Sequence, residues 1–137
     1  MISTELKVTV PFNHVDVMEV AWHGHYVEYF ERARCAALAT IGYDYPQMQA
    51  SGYHWPVIDL HLRYTKVAKY GQVLTVRAEL KEWENRLRFT YVITDEQGQR
   101  LTKGESVQVA VHAKTGEMCF ISPPILFEKL GLPQPKL

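Results

Sequence analysis

Three features of the 137-residue chain predict an α+β domain, one long helix against an antiparallel sheet. Residues 26–41 are built almost wholly from good helix formers and stop at Gly42, a natural helix end. From Trp55 onward, strand-type alternation returns at residues 57–69, 73–83, 87–94 and 101–113, with turn signals between. Helix and strands are segregated, so a parallel sheet with crossover helices is not expected.

Each element has its own warrant. Residues 5–10 alternate, with Leu6, Val8 and Val10 on one side, and Pro11 ends the strand or sets it at an edge. The helix is apolar at Tyr26, Val27, Tyr29, Phe30, Ala33, Ala36, Ala37, Leu38 and Ile41. Only Glu28, Arg32, Cys35 and Ala39 make a mild face, so a sheet should cover it on most sides. Residues 43–52 read as a connection with one short helical turn. In 57–69 the alternation falls on Ile58, Leu60, Leu62 and Tyr64, and Gly71 closes it. Leu74, Val76, Ala78 and Leu80 share one face of the next strand. Glu84-Asn85 turns into a strand with Leu87, Phe89, Tyr91 and Ile93 inward. Asp95 to Gly98 makes a second turn into 101–113, with Val107, Val109 and Val111 on one face. Residues 118–121 suggest a short further strand, and 125–130, after Pro123-Pro124, an amphipathic turn or two. No linker or repeat divides the chain, so 1–137 is expected to be one domain with a loose tail at about 131–137.

Composition narrows the partners. The formal net charge is +0, so no global field draws the chain to nucleic acid or a membrane surface. Two cysteines, Cys35 and Cys119, are no disulfide framework. MISTELKVTV lacks the basic head and apolar run of a signal peptide, and no stretch is long enough to cross a bilayer. A soluble cytoplasmic protein without nucleic-acid or membrane partners is expected.

The chemistry concentrates before and at the helix start: His14, Asp16, Glu19, His23, Gly24 and His25. A carboxylate near the unpartnered amides of a helix N-terminus suits chemistry on a carbonyl. Other readings compete. Asp16 could be a cap or turn residue. His14, Asp16, His23 and His25 could bind a metal, but side chains two apart on a helix diverge, so no metal is expected. Glu31 with Arg34, and Glu28 with Arg32, fit structural ion pairs, and Cys35 fits a packed thiol.

The run FNHVDVMEVAWHGHYVEYFERAR, followed by the antiparallel strands, resembles the hotdog-fold acyl-CoA thioesterases of the 4-hydroxybenzoyl-CoA thioesterase type. The resemblance implies a hotdog fold, one long central helix wrapped by a five- or six-stranded antiparallel sheet. It also implies hydrolysis of an acyl-CoA or acyl carrier protein thioester, without a cofactor. Asp16 falls on the catalytic aspartate, as nucleophile or general base, and His23 where a backbone N–H polarises the carbonyl. His14, Glu19, Trp22, Gly24, His25 and Tyr26 would line the substrate, and Arg86 and Arg88 would meet the nucleotide phosphates. A homodimer or tetramer would share its active sites between chains. The sequence departs from the family at His14 (an aspartate there), Glu19 (a glycine) and His25 (an asparagine). Two alternatives are a hotdog 3-hydroxyacyl-thioester dehydratase, pairing a histidine with Glu31, and a non-catalytic acyl-CoA-binding domain.

Overall fold

Alternation along β1 (Ser3–Thr9) leaves Leu6 half-buried and buries Val8, and this strand forms one edge of the main sheet. The computed structural model describes residues 2–135. After β1 come α1 (His25–Ala39), α2 (Tyr45–Ala50), β2 (Tyr53–His54), β3 (Val57–Tyr64), β4 (Val73–Glu82), β5 (Leu87–Thr94), β6 (Arg100–Gln108), β7 (Val111–His112) and α3 (Pro124–Leu130). The five-stranded antiparallel sheet has the order β1-β4-β5-β6-β3, while β2 and β7 pair separately. Tight turns join β4, β5 and β6 as a meander. β3 instead crosses the sheet to pair with β6, leaving β1 and β3 as the edges.

α1 packs over β1 and β4 and buries Tyr26, Tyr29, Phe30, Ala33, Ala37 and Leu38. It meets Leu74, Val76, Ala78 and Leu80 of β4 and Leu87, Phe89, Tyr91 and Ile93 of β5, all buried as their alternation requires. At Gly42 the left-handed backbone, φ +69°, turns the chain away. α2 is a full short helix, because Asp44 and Gln47 close a capping box ahead of Pro46.

β6 differs from its neighbours. Cross-strand register places Gln108 opposite Leu87, Ser106 opposite Phe89, Gly104 opposite Tyr91 and Thr102 opposite Ile93. Its helix-facing side is therefore small and polar, while Val107 lies on the other face opposite Arg88. Phe30 reaches across to this strand and stacks on Tyr91 at 4.3 Å.

Several expectations are corrected. The strand over 57–69 ends at Tyr64, and its apolar face is not covered: Ile58, Leu60 and Tyr64 are exposed and only Leu62 is half-buried. The strand over 101–113 stops at Gln108 and resumes as β7, and 118–121 contributes one bridge, Val111 to Met118. Neither Glu31–Arg34 nor Glu28–Arg32 forms an ion pair among the described residues; Glu28 faces His14 and His25 instead. Of the expected loose tail, Leu132 is tied back to Phe127 by a 3.0 Å backbone bond, and 136–137 lie outside the described residues.

Candidate active site

Between β1 and α1 the chain folds back on itself as a miniature hairpin. The Trp22 amide donates to the His14 carbonyl at 2.9 Å, Val15 bridges Ala21, and the Asp16 amide donates to the Val20 carbonyl at 3.0 Å. The Glu19 amide closes the tip on the Asp16 carbonyl at 2.9 Å. That closure holds Glu19 at φ 63°, a conformation glycine takes without strain. Further bonds pin the hairpin to the segment after β3: Ala21 to the Ala68 carbonyl at 2.7 Å, and a Val20–Lys69 bridge. The backbone of Asp16 is thus fixed on both sides.

The Asp16 side chain is exposed, and one oxygen, Oδ1, accepts the Met18 amide at 2.8 Å. Its other oxygen makes no hydrogen bond within the described residues. Three residues past its ladder partner Val20 come His23 and Gly24, which lead into α1. The helix has no side-chain N-cap, and neither the His23 nor the Gly24 amide donates to another protein group among the described residues. The His25 amide is taken by Trp22 and the His23 carbonyl accepts from Tyr64 Oη at 3.0 Å. A side-chain carbon on Gly24 would fall inside the Trp22 ring, so glycine lets that half-exposed indole pack against this position.

Behind the hairpin, His14 and His25 stack with ring centroids 4.0 Å apart and planes within 2°. His14 Nδ1 lies 2.7 Å from Tyr29 Oη. Burial pushes the Tyr29 phenol up to about 12, so it stays protonated, and the His14 tautomer sets which of the two donates. His14 Nε2 faces Glu28 at 4.0 Å, and with the proton on that nitrogen the phenol is the donor. Burial, and next the neighbouring His25, hold the His14 pKa below its ordinary value, with Glu28 opposing. His25 Nδ1 is 3.2 Å from Glu28 yet poorly aligned, so it is buried without a hydrogen bond. Donor atoms of His14, His25 and Glu28 lie within 4.8 Å of one another. Lone pairs in two parallel imidazole planes do not converge on one ion, so this arrangement is a stacked pair and not a coordination geometry. The hairpin, and no local spacing, brings two of these histidines together, joining His14 to His25.

The remaining candidates fall elsewhere. Tyr26 is 2% exposed, and its hydroxyl accepts the Ala68 amide at 3.0 Å, anchoring the segment that supports the hairpin. Among the described residues Glu31 makes no ion pair or hydrogen bond with His14, His23 or His25; the carboxylate beside His14 and His25 is Glu28. Arg86 binds Glu82 at 2.6 Å and Arg88 binds Glu105 at 2.9 Å. Arg63, Arg100 and Lys103, by contrast, line a 490 Å³ groove and form no ion pair among the described residues. Arg63 and Lys103 are cross-strand partners, a pairing the sequence could not show without the β3–β6 register. A second hollow, 460 Å³, lies beside the later half of α1, lined by Arg34, Cys35, Leu38, Met48, Trp55 and Gln108 among others.

Comparison with known proteins agrees with this architecture. Residues 10–129 match the family model of the thioesterase-like superfamily. A DHNA-CoA thioesterase from Staphylococcus aureus superposes with a TM-score of 0.84 at 26% identity, covering 96% of this chain and 90% of that one. The hypothetical protein TT1821 from Thermus thermophilus gives 0.82 at 29% identity, over 93% of this chain and 96% of its own. A provisionally assigned esterase of Synechocystis sp. is 29% identical over 133 residues, 92% of this chain and 77% of its own length. The matched span contains the hairpin, α1 and the whole of β3 to β6, and on that footing the chain belongs to the thioesterase-like superfamily.

Proposed function

We propose that this chain hydrolyses acyl-CoA thioesters with Asp16 as the reacting carboxylate and the His23 and Gly24 amides as the oxyanion site. The chain is a thioester hydrolase by family. The observation that carries the assignment of roles is the hairpin, which fixes a carboxylate with a free oxygen a few residues from two undonated amides at a helix start. Asp16 takes a proton from water, whose oxygen attacks the thioester carbonyl, or Asp16 attacks directly to give a mixed anhydride that water then opens. In both cases the carbonyl oxygen gains charge facing the amides, and the C–S bond breaks to release a thiolate. A thiolate leaves without much help from an acid, which suits a site with a single carboxylate.

Residues 1–137 act as one hotdog domain in which α1 is the central helix and the sheet wraps it. The Asp16 hairpin adjoins the end of the sheet holding Val73, Thr94 and Tyr64, whereas the hollow beside α1 adjoins Val57, Gln108 and Leu87 at the other end. Pairing exposed β3 with β3 of a second copy, antiparallel about a two-fold axis, sets the Tyr64 end of one chain beside the Val57 end of its partner. Asp16 of each copy then faces the hollow of the other, so the working unit is a homodimer or a multiple of it in the cytoplasm. The groove of Arg63, Arg100 and Lys103 supplies free cations for phosphates of CoA or of a carrier-bound pantetheine. Arg86 and Arg88, already paired with carboxylates, contribute less.

The test is thiol release from a panel of acyl-CoAs by wild type and Asp16→Asn. The variant should lose about 10²- to 10⁴-fold in kcat with an unchanged circular dichroism spectrum. Unaltered turnover would remove Asp16 from the chemistry.

A further inference from the structure

The His23 and Gly24 amides belong to two successive peptide planes, and each plane is pinned at its opposite end. A trans peptide is flat, so the direction of its carbonyl fixes the direction of the N–H on its other side. The His23 amide shares its plane with the Trp22 carbonyl, which accepts from the His25 amide at 2.9 Å. The Gly24 amide shares its plane with the His23 carbonyl, and there the backbone does less: the Tyr26 amide reaches that oxygen only at 3.4 Å. The better bond comes from another element. Tyr64, the last residue of β3, donates its hydroxyl to the His23 carbonyl at 3.0 Å. A carbonyl can only accept, so the direction of this bond is fixed. Burial, and next Tyr26, raise the Tyr64 phenol above its ordinary pKa, so it keeps the proton it donates. The ring is held in T-shaped contact with Tyr26 at 5.0 Å and with His23 at 6.4 Å. Tyr64 is half-exposed, so water is at hand for its hydroxyl and no burial forces it onto this carbonyl.

We propose that Tyr64 is a positioning residue of the hydrolase: its hydroxyl clamps the His23–Gly24 peptide and so aims and polarises the Gly24 N–H toward the oxyanion. This role rests on the reading that the His23 and Gly24 amides receive the oxyanion. Two effects act together. A held carbonyl keeps the peptide from rocking, which matters beside a glycine, whose backbone restrains the plane least. Oxyanion donors act by being in place before charge develops. A hydrogen bond accepted at the carbonyl also makes the N–H of the same peptide a stronger donor. Tyr64 acts through the peptide and not on the substrate, so its effect belongs to the chemical step and leaves ground-state binding alone. It also ties the edge strand β3 to the reaction centre, 41 residues along the chain from His23.

Tyr64→Phe removes one oxygen and leaves in place the ring that packs on Tyr26. Wild type and this variant are assayed on whichever of benzoyl-CoA, hexanoyl-CoA and decanoyl-CoA wild type turns over fastest. Circular dichroism and light scattering check that fold and assembly are unchanged. The kcat of Tyr64→Phe should fall about 3- to 10-fold while KM stays within about twofold, because the lost bond serves the chemical step. A second readout follows the carbonyl itself. The same substrate, labelled with carbon-13 at the thioester carbonyl, is bound to Asp16→Asn and its infrared stretch recorded. Binding should lower that stretch, and adding Tyr64→Phe should move it back toward the value for free substrate. A kcat equal to wild type, a loss carried by KM alone, or a stretch that Tyr64→Phe leaves unmoved overturns the clamp and leaves the thioesterase reading standing. A stretch that binding does not lower even with Tyr64 present removes the amide pair as the oxyanion site, and the clamp with it. Absence of turnover on all three substrates ends the thioesterase reading and the clamp together.

Discussion

His14 is the residue whose surroundings make the sharpest claim about pH. It lies between a hydrogen-bonded phenol and a stacked second imidazole, and its pKa lies below the ordinary histidine value chiefly through burial. The unfolded chain therefore binds this proton more readily than the folded one. Stability should fall as pH drops through the window that opens near about 6.5 and should level off below the folded pKa. Urea unfolding at intervals from roughly pH 7.5 to 5 reads this slope. His14→Asn, which keeps a polar partner for Tyr29, should flatten it, and an unchanged slope would place the titration elsewhere. At this scale legibility was uneven. Asp16 could be singled out as a candidate because its spacing to the helix start is local and carries a family pattern. The His14–His25 stack could not, because ten residues separate the two and only the hairpin bonds bring them together. Glu19 shows the same limit, since a positive φ at a glutamate has no composition signal apart from the family's glycine.

Among the elements, β4 and β5 were read correctly because they obey one rule, apolar in and polar out, along their whole length. β6 defeats that rule. Its sequence marks a valine face starting at Val107, yet the side turned to α1 carries Thr102, Gly104, Ser106 and Gln108. Gly104 is there for space. A side-chain carbon on it would sit 2.5 Å from the His61 carbonyl and 2.6 Å from the Phe30 ring. The first is backbone in a paired strand and cannot swing aside, and Phe30 is locked between α1 and Tyr91. Gly104→Ala should therefore destabilise the fold by about 1–3 kcal/mol through overpacking, despite the better strand propensity of alanine. Denaturant unfolding of the two proteins side by side measures it, and an alanine variant as stable as wild type would show that β6 can shift away from α1. Ser106 and Gln108 on the same face satisfy Tyr91 Oη and the Trp55 carbonyl, so the polar groups of that face have structural partners.

At the scale of the whole molecule, β3 is the feature that a single chain leaves unexplained. Alternation marks Ile58, Leu60 and Tyr64 as an inward face, and their register puts Leu60 and Tyr64 on the helix side of the sheet, opposite Ser106 and Thr102. They nevertheless remain 58%, 40% and 46% exposed, because α1 lies over β1 and β4 at the far edge. Periodicity reports which face is apolar and is silent on which chain covers it. A long apolar edge strand is an invitation to pairing, and the homodimer proposed above would answer it while joining each Asp16 to the other chain's hollow. Leu60→Lys places a charge on that edge without touching the buried core. The variant should run as a single chain by light scattering where wild type runs as a dimer, and should keep its circular dichroism spectrum. Thiol release should fall by at least about 10²-fold, since the carboxylate and the hollow would no longer meet. A monomeric variant with full activity would mean that one chain holds a complete site, and a monomeric wild type would remove both the dimer and the shared site.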